Sequence, residues 1–212
     1  MSTIALITAA EARLQIPSLS GTGEDTNLDT VIEIASAAIS RYCLFPELGG
    51  DSPDIGNRTY THYLDGPTLE NIRKLLLRVR PVVSITSIED DATWAFDGSS
   101  FLVASGDYTL IKETGEVWLD PDASHSWSSG PRHIKVVYVA GVGAATANIP
   151  PLVKQAARIT TRYFWDHPGM QGRISVSRAG ATSSKSTTIP IEIPQEAKEL
   201  LSQYRLIEAS LG

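Results

Sequence analysis

Towards both ends of the chain apolar residues recur at helical spacing, whereas between Asn57 and Gly141 they alternate and are punctuated by turn residues. A sequence that changes period in this way cannot fold as one kind of element throughout. The clearest stripe is Leu28, Val31, Ile32, Ala35, Ile39 and Tyr42, at separations of three, four and seven. Asp25, Thr26 or Asn27 is placed to cap that helix, and Pro46 with Gly49-Gly50 to close it. About 17 residues at 1.5 Å each make a rod about 25 Å long. Ala35, Ala37 and Ala38 leave room for another helix to approach. Upstream, Thr8-Ala-Ala-Glu11 has the form of a capping box, which predicts a short helix ending before Pro17. Residues 17–27, rich in Ser, Gly, Asp and Thr, read as a loop.

The middle segment reads as strands. Arg58 to Leu64 places Tyr60, His62 and Leu64 on one face. Val82–Ile88, Asp107–Lys112, Glu116–Leu119 and His133–Val139 are further strands, with Glu113-Thr114-Gly115 as a short hairpin loop. Leu75 to Leu77 fits either a strand or a helical turn. Helical period returns at Pro150-Pro151, where a missing N–H costs nothing. Val153, Ala156, Ala157, Thr160, Tyr163 and Phe164 form its inward stripe, ended by Pro168-Gly169. A last helix from near Pro194 turns Ala197, Leu200, Leu201, Tyr204 and Ile207 inward. The expected fold is α+β: a four-helix bundle with a β-rich insert between the second and third helices. Residues 1–56 would hold two helices, 57–141 the inserted subdomain, and 142–212 the rest of the bundle with a flexible loop at 168–190.

At 212 residues and 42% apolar content the chain is long enough to bury a sizeable core. Its single cysteine excludes a disulfide-stapled scaffold and a Cys-rich zinc fold. No apolar run approaches the roughly 20 residues of a membrane-spanning helix. The opening MSTIALITAAEARLQIP lacks a basic start and carries Glu11 and Arg13, so a soluble protein made inside the cell is expected. Residues 1–56 carry eight acids against Arg13 and Arg41, while 142–212 carry eight bases against five acids. With a net charge of −6 the chain is a poor candidate for wrapping duplex DNA. The uneven distribution suits head-to-tail contact between copies, or simply solvated faces.

Reactive groups do not converge in the sequence. Glu89-Asp90-Asp91 resembles a cation ligand set, but consecutive strand residues face opposite ways. A solvated turn is the expected reading. His62, His125, His133 and His167 match no standard zinc spacing and are expected at surface or strand positions. Cys43, beside the long stripe, reads as a small buried apolar residue. Gly141-Val-Gly143 lacks the third glycine of a dinucleotide fingerprint. No catalytic residue, cofactor or metal ligand is therefore expected. The residues singled out for partner binding are Arg173, Arg178 and Lys185 in the loop, and Tyr204, Arg205, Leu206 and Ile207 near the end. A cationic loop tethered at both ends can order on a partner, and aromatic, Arg and aliphatic residues together are common at interface centres.

Taken in order, several stretches resemble the tailed-phage head–tail connector (adaptor) family of head-completion proteins. Leu6-Ile-Thr-Ala-Ala-Glu-Ala-Arg13 is similar to its first helix, and Leu28 to Ser36 with Arg41-Tyr42 to its second. Arg80–Ile88, Asp107–Leu110, Gly115–Leu119 and Val136–Gly141 resemble the β insert of its longer members. Ile149-Pro-Pro-Leu-Val-Lys-Gln-Ala-Ala157 is similar to the third helix and Tyr204-Arg205 to the end of the fourth. The resemblance implies a structural, non-enzymatic virion protein in the neck between capsid and tail, present in the host cytoplasm during assembly. It implies a homo-oligomeric, dodecameric ring under the portal protein, offering a docking surface to tail or stopper proteins. The helical part would make the ring contacts and the flexible or C-terminal segments would grip the portal. Genome DNA would pass through the channel without specific binding, and no membrane would be involved. An acidic lumen would repel phosphate. Two other classes compete: a monomeric ligand- or carbohydrate-binding module using Trp94, Trp118 or Trp127, and a hydrolase or nuclease using Glu89, Asp90 and Asp91.

Overall fold

The computed structural model describes residues 4–17, 19, 23–46, 54–67, 73–96, 101–167 and 192–206. They group into two compact units, one combining residues up to Gly56 with those from Gly143 onward, the other running from Asn57 to Val142.

The first unit contains four helices: α1 (Ala9–Arg13), α2 (Asp25–Tyr42), α3 (Pro151–Asp166) and α4 (Gln195–Leu201). Short 3-10 turns follow at Thr146–Asn148, before α3, and at Ser202–Tyr204, after α4. The capping box forms as the sequence predicts: the Glu11 N–H donates to Thr8 Oγ1 (3.2 Å) and the Thr8 N–H to Glu11 Oε2 (2.9 Å). In α2 the stripe is buried from Leu28 to Ile39, although the helix begins one residue after Glu24, which makes no side-chain cap. Two serines on that buried face were not legible as core residues. Ser36 Oγ donates to the Ile32 carbonyl and accepts the Leu6 N–H; Ser40 Oγ donates to the Ser36 carbonyl and accepts the Ile55 N–H. Each hydroxyl thus satisfies itself within the helix and also fastens a separate segment to α2. Val31 and Ala35 of α2 pack on Phe164 of α3, flanked by Ile34, Ala38, Tyr163 and Trp165. The small residues of α2 admit that aromatic ring.

The expected four-helix bundle is not what forms. A bundle needs four rods of comparable length around a shared core, and among the described residues only α2, at 18 residues, and α3, at 16, are long. Helix α1 has 5 residues and α4 has 7. The apolar spacing at the two ends was helical but too short to sustain rods: α1 is stopped ahead of Pro17, and α4 tightens into the 3-10 turn. Among the described residues, seven strands in two antiparallel sheets make the fold a mixed α+β one.

In the second unit one sheet has the order β1 (Arg58–Gly66), β7 (Gly130–Ala140), β3 (Val82–Asp90), β4 (Phe101–Leu102). The other has β2 (Lys74–Leu76), β6 (Glu116–Leu119), β5 (Tyr108–Ile111). Strand β7 pairs on both sides, Tyr138 lying opposite Tyr60 in β1 and Ile85 in β3. Its alternate residues Ile134, Val136, Tyr138 and Ala140 are buried, as period two requires. Leu75, Val117 and Leu119 are the buried residues of the second sheet. Between β5 and β6 the chain reverses through Gly115, whose φ of 69° suits glycine, and the Gly115 N–H returns to the Ile111 carbonyl. The two-residue β4 had no alternation long enough to reveal it.

Candidate functional site

Glu89, Asp90 and Asp91 do not form the expected solvated turn. Glu89 and Asp90 end β3, and Asp90 and Asp91 are buried. Glu89 pairs with Lys135 across the sheet at 3.0 Å. Asp90 Oδ2 accepts from the Ser128 N–H (2.8 Å) and lies 2.9 Å from His125 Nε2. Asp91 Oδ1 accepts from the Thr93 N–H and hydroxyl, and its Oδ2 from the Phe96 N–H. The three carboxylates thus have three separate structural tasks. Among the described residues no group of three acids, histidines or cysteines could hold a metal ion.

The histidines are likewise dispersed. His125 stacks on Phe101, ring centroids 4.1 Å apart. His133 packs near Trp94, and His167 Nδ1 lies 3.0 Å from the Tyr163 carbonyl at the end of α3. His62 is half-buried with Nδ1 2.9 Å from Tyr138 Oη. The Val79 N–H donates to that phenol oxygen, which frees the phenol proton for His62 Nδ1. Burial, then the positive charge of Arg78, pushes the His62 pKa down to about 4. Cys43 is fully buried and burial pushes its thiol up to about 12, against a smaller opposing pull from Arg205.

Of the residues singled out for partner binding, Arg173, Arg178, Lys185 and Ile207 lie outside the described residues. Arg205 and Leu206 meet the end of α2. The Arg205 guanidinium lies 5.5 Å from the Tyr42 ring centre, and the Leu206 N–H donates to the Cys43 carbonyl at 2.9 Å. Leu206 is buried, Arg205 is exposed, and Tyr204 sits partly exposed in the 3-10 turn.

A small part of the charge contrast between the chain's two ends is met inside the first unit, through Glu11. Glu11 takes both Lys154 and Arg158, and Arg13 pairs with Asp25. Burial alone would raise the Glu11 pKa, but the Thr8 N–H and Lys154 outweigh it and hold the carboxyl below its ordinary value. On α2, Asp29 and Glu33 remain exposed.

The three tryptophans considered for a sugar platform do not converge. Trp127 is buried, Trp118 projects from the β2–β6–β5 sheet, and Trp94 stands in a cleft of its own. That open cleft, about 620 Å³, is bounded by Tyr63, Trp94, Phe96, Pro131, Arg132 and Lys135. Its wall is fixed from behind by Asp91, by the Trp94 indole N–H donating to the Pro131 carbonyl (2.8 Å), and by the Arg132 N–H donating to Asp65 (2.8 Å). The Arg132 guanidinium lies 5.1 Å from the Tyr63 ring centre, and Lys135 Nζ lies 5.6 Å from that of Phe96. Sequence reading missed this cleft because it joins three segments, β1, the 91–96 loop and the start of β7.

A family model described as head completion protein matches residues 5–207. Solved chains similar in fold come from gene transfer agent (GTA) particles. One, from the neck of an empty GTA particle computed with C6 symmetry, aligns with a TM-score of 0.59 and 16% identity, covering 98% of this chain and 93% of that one. Another, from the neck of a native GTA particle computed with C12 symmetry, gives 0.54 and 16%, covering 96% and 90%. A third, from the virion of the native particle, gives 0.53 and 18%, covering 96% and 91%. No curated protein matches the chain at a significant level.

Proposed function

The chain belongs to the head completion protein family and is a structural protein of the virion's head–tail region, and from this we propose that it is a non-enzymatic connector forming a dodecameric ring under the portal. The observation that carries the reading is the family match over residues 5–207, which takes in both units. Similar folds in necks of C6 and of C12 symmetry support it, since a twelve-fold ring satisfies both. The ring would sit in the neck after assembly in the host cytoplasm, with the portal on one side and tail or stopper proteins on the other. Genome DNA would cross its channel without being held, a task that a net charge of −6 favours by repelling phosphate. Arg173, Arg178 and Lys185, with Tyr204, Arg205 and Ile207, are the proposed portal-side contacts, and Leu206 anchors that segment to α2 through Cys43.

Assembly without this chain tests the reading. Heads made in its absence are expected to package DNA but fail to join tails, and added purified protein to restore joining. Normal tailing without the chain would contradict it.

A further inference from the structure

Three of the four described non-glycine residues with positive φ line the same cleft: Trp94 (62°), Phe96 (45°) and Arg132 (56°). Such backbone persists only where neighbouring structure imposes it, and it gathers at functional positions. Here Asp91, Asp65 and the Pro131 carbonyl impose it through the hydrogen bonds described above. The result is a rigid aromatic wall left open to solvent, with Trp94 58% and Tyr63 40% exposed. Trp, Tyr and Arg set together on a fixed wall are the usual make-up of an interface centre. Lys135 is engaged by Glu89, but Arg132 has no carboxylate partner among the described residues.

A cation backed by aromatic rings calls for a carboxylate carried on a surface of small side chains. Helix α2 offers one. Asp29 and Glu33, one turn apart, lie exposed on the same face as Thr26, Thr30 and Ala37. Neither has an ion-pair partner among the described residues, whereas Glu11, Asp25 and Glu192 are already paired with cations. We propose that the cleft of one copy receives the exposed face of α2 from a second copy, with Arg132 set between Asp29 and Glu33. At about 620 Å³ the cleft takes side chains, the helix lying across its mouth. The two surfaces differ, so the contact is heterologous, the kind that builds a ring where its rotation closes. The inference rests on the ring reading and names the surfaces that would build it.

Photo-crosslinking of the full chain assembled with its portal tests the contact. Trp94→p-benzoylphenylalanine keeps an aromatic ring at an exposed position. Tyr63→p-benzoylphenylalanine, at another exposed position of the same cleft, reads the same contact if the first variant does not assemble. The expected product is a chain–chain adduct mapping to residues 25–42 of the second copy. Arg132→Glu is expected to lower its yield at least tenfold, and adding Asp29→Arg with Glu33→Arg to restore it. An adduct on the portal, or none from a chain seated in the ring, would overturn the contact. A portal complex in which the wild-type chain forms no ring would overturn the connector reading itself, and this contact with it.

Discussion

At His62 a single ring nitrogen couples pH to the stability of the second unit. The folded pKa, about 4, lies below the ordinary 6.5, so the unfolded chain takes up the proton first. The stabilisation is therefore complete above pH 6.5 and is lost as pH falls towards 4. Urea midpoints are expected to drop between pH 7.5 and 4.5, and His62→Gln to flatten that drop; identical pH dependence in the two proteins would contradict the assignment. Asp91 offers a second test at this scale. Its buried carboxylate accepts from two backbone N–H groups and a hydroxyl, and removing such an acceptor strands the donors. Asp91→Ala is expected to cost about 1–3 kcal/mol and to raise Trp94 mobility, read by fluorescence anisotropy. An unchanged melting curve and anisotropy would show that the loop is held by other means.

At the scale of elements, Ile39 lies fully buried on the long stripe of α2. Ile39→Ala is expected to destabilise by roughly 2–5 kcal/mol, read by denaturant unfolding, and a change near zero would mean the helix face is not packed as described. That stripe was legible because seven-residue spacing over a long helix leaves one interpretation. So were the capping box at Thr8 and Glu11, the paired prolines before α3, and the strands on either side of Gly115. The length of α4 was not, because the helical spacing of Ala197, Leu200, Leu201 and Tyr204 does not show that the chain tightens into a 3-10 turn from Ser202. Nor could alternation disclose Asp90 and Asp91 as buried acceptors: their partners, Ser128, His125, Thr93 and Phe96, come from loops whose path only the fold decides. Ser36 and Ser40 look like polar interruptions of a stripe until Leu6 and Ile55 are placed against them.

For the whole molecule, the charge imbalance along the chain invites a reading in which acidic and basic ends of different copies meet. Folding answers a part of it within one copy, where Glu11 draws Lys154 and Arg158 together. What remains for assembly is smaller and more specific: an exposed acidic face on α2 in one unit and an aromatic, cationic cleft in the other. Glu89, Asp90 and Asp91 serve structure, and the exposed surfaces are what the proposed connector would build into a ring. Electron microscopy of the full-length chain mixed with its portal examines that most directly. The account predicts a coaxial ring of added densities beneath the portal, twelve of them in the proposed dodecamer. Portals left bare, with the chain dispersed as single copies at every ratio, would contradict it.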